Sequence, residues 1–238
     1  MTDAAIELTE VRKSYGPVAA LCGISLTVPQ GVAFGLVGAN GAGKTTLIKC
    51  MLDFVHLDGG TIRLLGVTHR SVAARRPLAY LPENFLPFPH LTGREFLRYL
   101  QTLRGEPYSD EEIRAYLSAL DFDPAALDRL ARTYSKGMTR KLGLAACLAS
   151  RARLFVLDEP MSGLDPKARA LLKRELAALT AAGRTVFMST HSLADVEELC
   201  AAMAILHDGR LRFAGTPAAC REQFASPTLE EAYLAAIG

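Results

Sequence analysis

The sequence predicts an α/β fold with a mainly parallel sheet, an N-terminal antiparallel β part and an inserted α-helical subdomain. Three observations lead to this prediction. The first part of the chain is rich in strand-like alternation of apolar and polar residues, and the stretch from Glu83 to Lys141 carries helix-start signals. From Leu154 onward, short apolar runs alternate with helical patterns. That alternation is typical of parallel strands joined by helices on both faces of a sheet.

The chain has 238 residues, which is long enough to bury a substantial core. We expect one domain over residues 1–238. Within it, residues 1–82 and 142–238 are predicted to form the α/β core with its β part, and residues 83–141 the helical subdomain.

The strand predictions rest on alternation and on short apolar runs bounded by turn residues. In the first strand Ile6, Leu8 and Val11 are expected to face inward. After the glycines, one helical face is expected to carry Leu47, Ile48, Met51, Leu52 and Val55. The strand-like runs are "AIELTEVRKSYG", "ISLTVPQG", "VAFGLVG", "GGTIRLLG", "LFVLD", "TVFMST" and "AMAILHDGR".

The helix predictions rest on start and stop signals. "TGRE" at Thr92–Glu95 fits a capping box, and Gly105–Pro107 ends that helix. Ser109 begins another, and Asp123 with Pro124 supplies an N-cap followed by proline at the first helical position. Further helices are expected over "TRKLGLAACLAS", "KARALLKRELAALTAAG" and "LADVEELC".

Composition narrows the class of protein. The net charge is +2, with acidic and basic residues interspersed. Proteins held on nucleic acid by phosphate contacts usually carry a larger basic excess, so we expect no nucleic-acid partner. The five cysteines contain no CxxC pair, which favours buried reduced thiols over a metal site.

No apolar run approaches the roughly 18 to 20 residues that a membrane-spanning helix needs. The N-terminus "MTDAAIELTE" has neither the basic nor the apolar segment of a signal peptide. We therefore expect a cytoplasmic chain whose membrane role, if it has one, comes through a partner.

The stretch "GANGAGKT" matches the phosphate-binding pattern G-x-x-x-x-G-K-[ST] between an apolar strand and a helix. Glycines let backbone amides wrap a phosphate chain, and the helix N-terminus favours negative charge. Lys44 would lie on the β- and γ-phosphates, and the Thr45 hydroxyl could coordinate Mg²⁺. The residues predicted to bind nucleotide here are Gly38, Ala39, Asn40, Gly41, Ala42, Gly43, Lys44, Thr45 and Thr46.

Two adjacent acids, Asp158 and Glu159, follow the buried run "LFVLD". Ligand sites of open α/β sheets lie at the carboxyl ends of strands. One acid can hold Mg²⁺, and the second can orient or deprotonate the water that attacks a γ-phosphate. Together with the glycine-rich loop, the pair predicts a P-loop NTPase that binds a nucleoside triphosphate and Mg²⁺.

Four further motifs occur in order: "YLPE" at Tyr80–Glu83, "YSKGM" at Tyr134–Met138, "SGLD" at Ser162–Asp165 and "STHS" at Ser189–Ser192. With the two motifs above, this set resembles the ATP-binding cassette (ABC) family over nearly the whole chain. The combination of "YLPE" with "YSKGM" is similar to that of bacterial ATPases serving ABC-2-type exporters.

The resemblance implies roles for residues around one nucleotide. Tyr15 would stack on adenine, and Gly38–Thr46 would hold the phosphates. Glu83 stands where the family usually has a glutamine that contacts Mg²⁺ and the attacking water. Asp158 would be the Mg²⁺-associated acid and Glu159 the catalytic base.

Other roles implied by the resemblance involve a second subunit. Ser135 and Gly137 match the signature that touches the γ-phosphate of ATP held by the other subunit. Asp165 matches the residue that communicates across the dimer, and His191 the switch histidine on the γ-phosphate. The resemblance thus implies a head-to-tail homodimer that encloses two ATP molecules.

The resemblance also implies a separate integral membrane permease, so that the chain would be peripheral on the inner face of the cell membrane. We expect contact near Glu83–Leu91, where the irregular loop carries apolar residues; burial of these residues under the helical subdomain is the alternative. The apolar residues of that loop are Phe85, Leu86, Phe88 and Pro89.

Besides Glu83, two residues of the signature depart from the family pattern. Lys136 replaces the first glycine of the usual L-S-G-G-Q signature, and Met138 replaces its glutamine. Two other functions stay open: an ABC ATPase that acts without a membrane, and an unrelated P-loop kinase or GTPase. An ABC ATPase that acts without a membrane usually carries coiled coils, zinc modules or tandem cassettes, and the sequence shows none of these. A GTPase needs an N-K-x-D motif that recognises guanine, and the sequence does not contain one.

Overall fold

The structure, a computed structural model, describes residues 3–238; Met1 and Thr2, with which the predicted domain begins, lie outside the described residues. Its strands are β1 (Ala4–Tyr15), β2 (Val18–Pro29), β3 (Ala33–Val37), β4 (Gly59–Leu64), β5 (Val67–Thr68), β6 (Leu78–Leu81), β7 (Leu154–Asp158), β8 (Thr185–Thr190), β9 (Ala202–His207) and β10 (Arg210–Gly215). Its α-helices are α1 (Lys44–Met51), α2 (Val72–Arg75), α3 (Gly93–Arg104), α4 (Asp110–Ala119), α5 (Lys136–Leu148), α6 (Pro166–Ala181), α7 (Leu193–Leu199), α8 (Pro217–Gln223) and α9 (Leu229–Ile237).

The larger sheet has the strand order β10-β9-β3-β8-β7-β6. Neighbours from β9 to β6 are parallel, and β10 pairs antiparallel with β9 at one edge. Every residue of β3, β7 and β8 is buried, as expected for central strands covered on both faces. The predicted mainly parallel sheet is confirmed.

The smaller sheet, ordered β2-β1-β4-β5, is antiparallel throughout and confirms the predicted N-terminal β part. Ile6, Leu8 and Val11 are all buried as predicted. The spacing of three between Leu8 and Val11 breaks strict alternation because the register shifts there, and Glu10 adopts φ 50°. The irregularity lets the apolar residues before it, Ile6 and Leu8, and the one after it, Val11, all face the core.

Two hydrophobic clusters cover the faces of the parallel sheet. One joins the antiparallel sheet and α1 to the face that carries Phe34 and Phe187, whose rings stack with centroids 5.7 Å apart. The other packs α3, α5, α6 and neighbouring helices on the opposite face. The expectation that Val55 shares the buried face of α1 is wrong: the helix ends at Met51, Asp53 adopts φ 60°, and Val55 is only partly buried.

In the segment predicted to be helical, the first helices begin at the caps that the sequence predicts. Thr92 and Glu95 form the capping box of α3, and Gly105 ends that helix with φ 69°. Ser109 caps α4. Asp123 caps Pro124–Asp128 as predicted, but this segment is a 3₁₀ turn rather than an α-helix.

Helix α5 both starts and ends earlier than the predicted helix "TRKLGLAACLAS". It begins at Lys136, inside "YSKGM", with Ser135 as its N-cap, and runs to Leu148. It therefore crosses residue 141, where the helical subdomain was expected to end, and the division of the domain into residues 83–141 and its flanks stays a prediction. The sequence patterns did not identify β5, β6, β10, α2, α8 or α9.

All five cysteines are free, and Cys50, Cys147, Cys200 and Cys220 are buried, as predicted. Burial raises the pKa of Cys147 to about 12 and that of Cys50 to about 11. Because the thiolate is the reactive form, we expect an alkylating reagent at about pH 8 to label partly exposed Cys22 well before these two. Mass spectrometry of the native protein measures the order. Labelling of Cys147 as fast as Cys22 would contradict the burial, and full labelling in denaturant is the control.

Candidate functional site

A glycine-rich loop joins β3 to α1, as the sequence predicted. Gly43 adopts φ 108°, a conformation that side chains rarely tolerate, and a Cβ at Gly38 would lie 2.4 Å from the Leu206 carbonyl oxygen. No described side chain caps the N-terminus of α1. The positive end of the helix dipole is therefore available to an anion in the loop.

Lys44 lies at the start of this helix and is only 6% exposed. Its Nζ donates hydrogen bonds to the carbonyl oxygens of Gly38, at 2.6 Å, and Ala39, at 3.2 Å. It also lies 3.6 Å from Oε1 of Glu159, so the cation of the loop faces the predicted catalytic acid. The glycine loop and the acid pair therefore form one site.

Asp158 ends β7 and is 1% exposed. Thr45 Oγ1 donates to its Oδ2 at 3.0 Å, and Ser189 Oγ donates to its Oδ1 at 2.5 Å. The Ser189 hydroxyl in turn accepts the backbone N–H of Glu159 at 3.0 Å. One serine thus fixes the side chain of the first acid and the backbone of the second.

Glu159 adopts φ 49°, which is uncommon for a residue with a side chain. His191 Nδ1 lies 2.9 Å from its Oε2, where the ring N–H donates to the carboxylate. The buried Oε1 of Glu159 accepts no hydrogen bond from the described residues. The structure therefore places one carboxylate between an imidazole at Oε2 and an ammonium group near Oε1.

A cleft of about 530 Å³ opens at this loop. The predicted site residues that line it are Ala39, Asn40, Gly41, Gly43, Lys44, Thr45, Thr46, Glu83 and Glu159. The remaining lining residues, which the sequence reasoning missed, are Val18, Ala19, Ala20, Asp208 and Gly209. Val18–Ala20 begin β2, and Asp208 and Gly209 form the turn between β9 and β10; such short stretches carry no distinctive sequence signal.

Eight predicted site residues are not among those that line the cleft: Tyr15, Gly38, Ala42, Ser135, Gly137, Asp158, Asp165 and His191. Tyr15 ends β1 and is 47% exposed. Ser135 caps α5 by accepting the Met138 N–H. Asp165 caps α6, and the hydrogen bond that it accepts from the Ala168 N–H, at 2.8 Å, is the main cause that lowers its pKa below the usual range.

Ser189 and Arg140 are the main residues near the acid pair that sequence reasoning did not identify. Ser189 had a signal, since it is a polar residue near the end of the buried run "TVFMST". Arg140 had none, because a charged residue on a helix ordinarily lies on its solvated face. Here it is 4% exposed and reaches the backbone of both acids.

The donor set fits Mg²⁺. No group of three or more His, Cys, Asp or Glu that could hold a metal by itself occurs within residues 3–238. Mg²⁺, however, usually keeps several waters and binds one or two carboxylates together with substrate phosphates. The hard oxygen donors beside the phosphate loop are the Thr45 hydroxyl, the Asp158 carboxylate and Oε1 of Glu159, which accepts no hydrogen bond from the described residues.

A family model described as "ABC transporter" matches residues 21–162, well over half of the chain. An ABC transporter ATP-binding protein of Nostoc sp. is 39% identical over 225 residues, which are 90% of this chain and 67% of the relative. A second, from Synechocystis sp., is 38% identical, with 89% and 62% covered. The Nod factor export ATP-binding protein I of Paraburkholderia xenovorans is 37% identical, with 92% and 73% covered. The chain thus spans about two thirds of the length of these relatives.

Solved structures of ABC ATP-binding proteins also resemble this chain. The structure of an ATP-binding subunit of an ABC transporter has a TM-score of 0.87 and 30% identity, covering 98% of this chain and 99% of that one. A dimeric ATP-binding cassette in a post-hydrolysis state with ADP and Pi has a TM-score of 0.81 at 21% identity, covering 89% and 98%. The second comparison bears on the fold alone.

The hydrogen bonds of Ser189 predict the effect of removing its hydroxyl. In Ser189→Ala the buried N–H of Glu159 loses its acceptor, so the free energy of unfolding should fall by about 1–3 kcal/mol. Urea denaturation measures the change. Ser118→Ala, on an exposed face of α4, is the matched control and should stay within about 0.5 kcal/mol of the original protein. Equal losses in the two variants would contradict the assigned bonds.

Proposed function

The chain belongs to the ABC transporter family, and we propose that it is the ATP-binding and ATP-hydrolysing subunit of a transporter, driving a separate membrane subunit. One observation carries this proposal. Lys44 and Thr45 of the phosphate loop contact Glu159 and Asp158 of the acid pair directly, at the edge of one cleft. A loop that binds phosphate and acids that activate water thus meet where a γ-phosphate would lie.

The phosphates of ATP would bind to the backbone amides of Gly38–Gly43 and the first turn of α1. Lys44 would exchange its bonds to the loop carbonyls for the β- and γ-phosphates. Adenine would lie toward Val18–Ala20, with Tyr15 as the stacking platform at the end of β1. Mg²⁺, held by Thr45 and Asp158, would neutralise phosphate charge that develops during the reaction.

Glu159 would act as general base. It would take a proton from water while the water oxygen attacks the γ-phosphorus, and the bond from phosphorus to the bridging oxygen breaks to give ADP and phosphate. His191, 2.9 Å from Glu159, would hold the carboxylate in place and then turn its exposed ring to the γ-phosphate. Glu83 lines the same cleft and would contact the water or the metal.

A second copy of the chain would complete each site. Ser135 and Gly137 open α5 on an exposed or partly exposed surface, outside the residues that line the cleft. A helix N-terminus of this kind favours an anion, and the anion would be the γ-phosphate bound to the partner. Lys136 adds a positive charge there while its aliphatic stem covers Gly163. Asp165, two residues after Gly163, would lie at the same interface.

The membrane subunit would dock near Glu83–Leu91. No helix within residues 3–238 is long and apolar enough to cross a bilayer. In the proposed docking loop Phe85 packs inward against Phe96, which is the burial alternative, whereas Leu86 is 83% exposed and Phe88 44% exposed. The two exposed residues therefore support the docking surface, and Phe85 anchors it to the helical segment.

We place the transporter among exporters of the ABC-2 type. The motifs "YLPE" and "YSKGM" favour that branch, and the relatives named for Nod factor export are 36–37% identical to this chain. ATP-driven closure of the dimer would move the docking loops, which start at the catalytic cleft, and thereby the permease. The permease would select the cargo. The alternative, an ABC ATPase that acts away from membranes, makes a different prediction below.

Glu159→Gln and Lys44→Ala should separate hydrolysis from binding. Glu159→Gln loses the base but keeps the phosphate contacts, so turnover should fall by about 10²–10⁴-fold while ATP binding persists and dimers accumulate. Lys44→Ala should lose nucleotide affinity itself. Phosphate release, nucleotide fluorescence titration and size-exclusion chromatography measure the three quantities. Unchanged turnover in Glu159→Gln would exclude it as the base, and unchanged affinity in Lys44→Ala would exclude the phosphate site.

The trapped dimer also tests the partner. Tagged Glu159→Gln, purified from detergent-solubilised membranes of the native host with ATP and Mg²⁺, should bring down a polytopic membrane protein in near-equal amount. The Lys44→Ala variant, which cannot form the ATP-bound dimer, is the control. Recovery only in the soluble fraction with nucleic acid or ribosomes would instead support the non-membrane alternative.

A further inference from the structure

Arg140 has an unusual environment for a guanidinium group. It lies in the second turn of α5, 4% exposed, and its five N–H donors all point at backbone carbonyl oxygens. Nη1 bonds to Pro82, at 2.7 Å, and to Glu83, at 3.1 Å. Nη2 donates to the carbonyl oxygens of Asp158, at 2.8 Å, and of Glu159. Nε donates to the carbonyl oxygen of Pro160 at 3.3 Å.

These five carbonyls belong to two separate loops. Pro82 follows β6 and Glu83 begins the docking loop, whereas Asp158 ends β7 and Glu159 and Pro160 begin the turn after it. Within the described residues no carboxylate lies within ion-pairing distance of Arg140. Burying a charge without an ion pair is costly unless hydrogen bonds compensate it. Here five hydrogen bonds compensate the burial of the charge, and together they connect the two loops.

We propose that Arg140 is a positioning residue for ATP hydrolysis, which locks the backbone of the docking loop to the backbone of the acid pair. The inference rests on the proposed function. Arg140 touches no residue side chain of the cleft by hydrogen bond; it acts on Glu159 and Glu83 through their carbonyl oxygens. Since Glu159 adopts φ 49°, its backbone needs support from its neighbours, and Arg140 and Ser189 supply it from opposite peptide groups.

The hydrogen bonds of Arg140 also connect three parts of the chain, namely the docking loop, the acid pair and α5. Arg140 is five residues after Ser135, so the helix that presents the signature residues to the partner carries the guanidinium. A displacement of the docking loop by the membrane subunit would therefore shift the acid pair and α5 together. The fork of a guanidinium suits this task because it spans both loops at once, whereas the ammonium of lysine donates from one point.

The test compares Arg140→Gln and Arg140→Lys with Arg94→Gln. Arg94 also bonds to two segments, through Asp110 and Asp128, but these bonds lie within the helical segment and away from the cleft. Arg140→Gln should lower kcat by at least roughly tenfold, because small displacements of catalytic groups are that costly, with KM for ATP almost unchanged. Arg140→Lys should recover part of the loss. Arg94→Gln should lower the melting temperature with kcat close to the original.

Hydrogen–deuterium exchange supplies a readout that does not depend on turnover. In Arg140→Gln, and more weakly in Arg140→Lys, amides of residues 82–90 and 158–164 should exchange faster together. In Arg94→Gln only amides of the helical segment around α3 and α4 should exchange faster. Turnover of Arg140→Gln within twofold of the original, or faster exchange in just one of the two loops, would overturn the proposal.

Failure of the proposed function would look different. An unsubstituted chain that hydrolyses no ATP with Mg²⁺ would contradict that function, while the exchange comparison would still decide whether Arg140 joins the loops. If Arg140→Gln does not fold, the same comparison is made with Arg140→Lys, which keeps the charge.

Discussion

The site depends on the parallel pairing of β3, β8 and β7. In that register Val37 lies beside Thr190, and Asp158 lies beside Ser189. Because the strands are parallel, their carboxyl ends meet at one edge of the sheet, and the three loops that follow carry the phosphate-binding glycines, the acid pair and His191. A slip of β7 by one residue against β8 would turn the acids to the other face of the sheet. The Thr45–Asp158 bond, between residues 113 positions apart, exists only in this register.

The backbone around this edge is held in conformations that local sequence alone would not favour. Gly43 tolerates φ 108° because it has no side chain, but Glu159 at φ 49° does not have that freedom. Its N–H is bound by Ser189, and its carbonyl is bound by Arg140. Strain of this kind persists only where the surroundings fix it, and here it fixes the direction of the carboxylate relative to the phosphate loop.

The chain supplies two half-sites in different places. The cleft contains phosphate-binding and acidic groups, while the N-terminus of α5 is exposed and lies outside the residues that line it. Arg140 links the two, since it extends from α5 to the backbone of the acid pair. In the proposed head-to-tail dimer, an event at one ATP would therefore reach the half-site that the same chain offers to its partner. Exposed Leu86 and Phe88 would carry it to the membrane subunit.

The sequence by itself determined the features that depend on residues close together in the chain. The phosphate loop, the strand alternation and the caps at Thr92 and Ser109 follow from local sterics and hydrogen bonding, and the order of the motifs identified the family. Tertiary structure decided which side chains meet across long separations. It buried Arg140 among carbonyls, and in the docking loop it turned Phe85 inward and left Leu86 exposed. Those outcomes depend on how the loops pack against α3 and α5, and no local pattern encodes the distance between segments that are far apart in the chain.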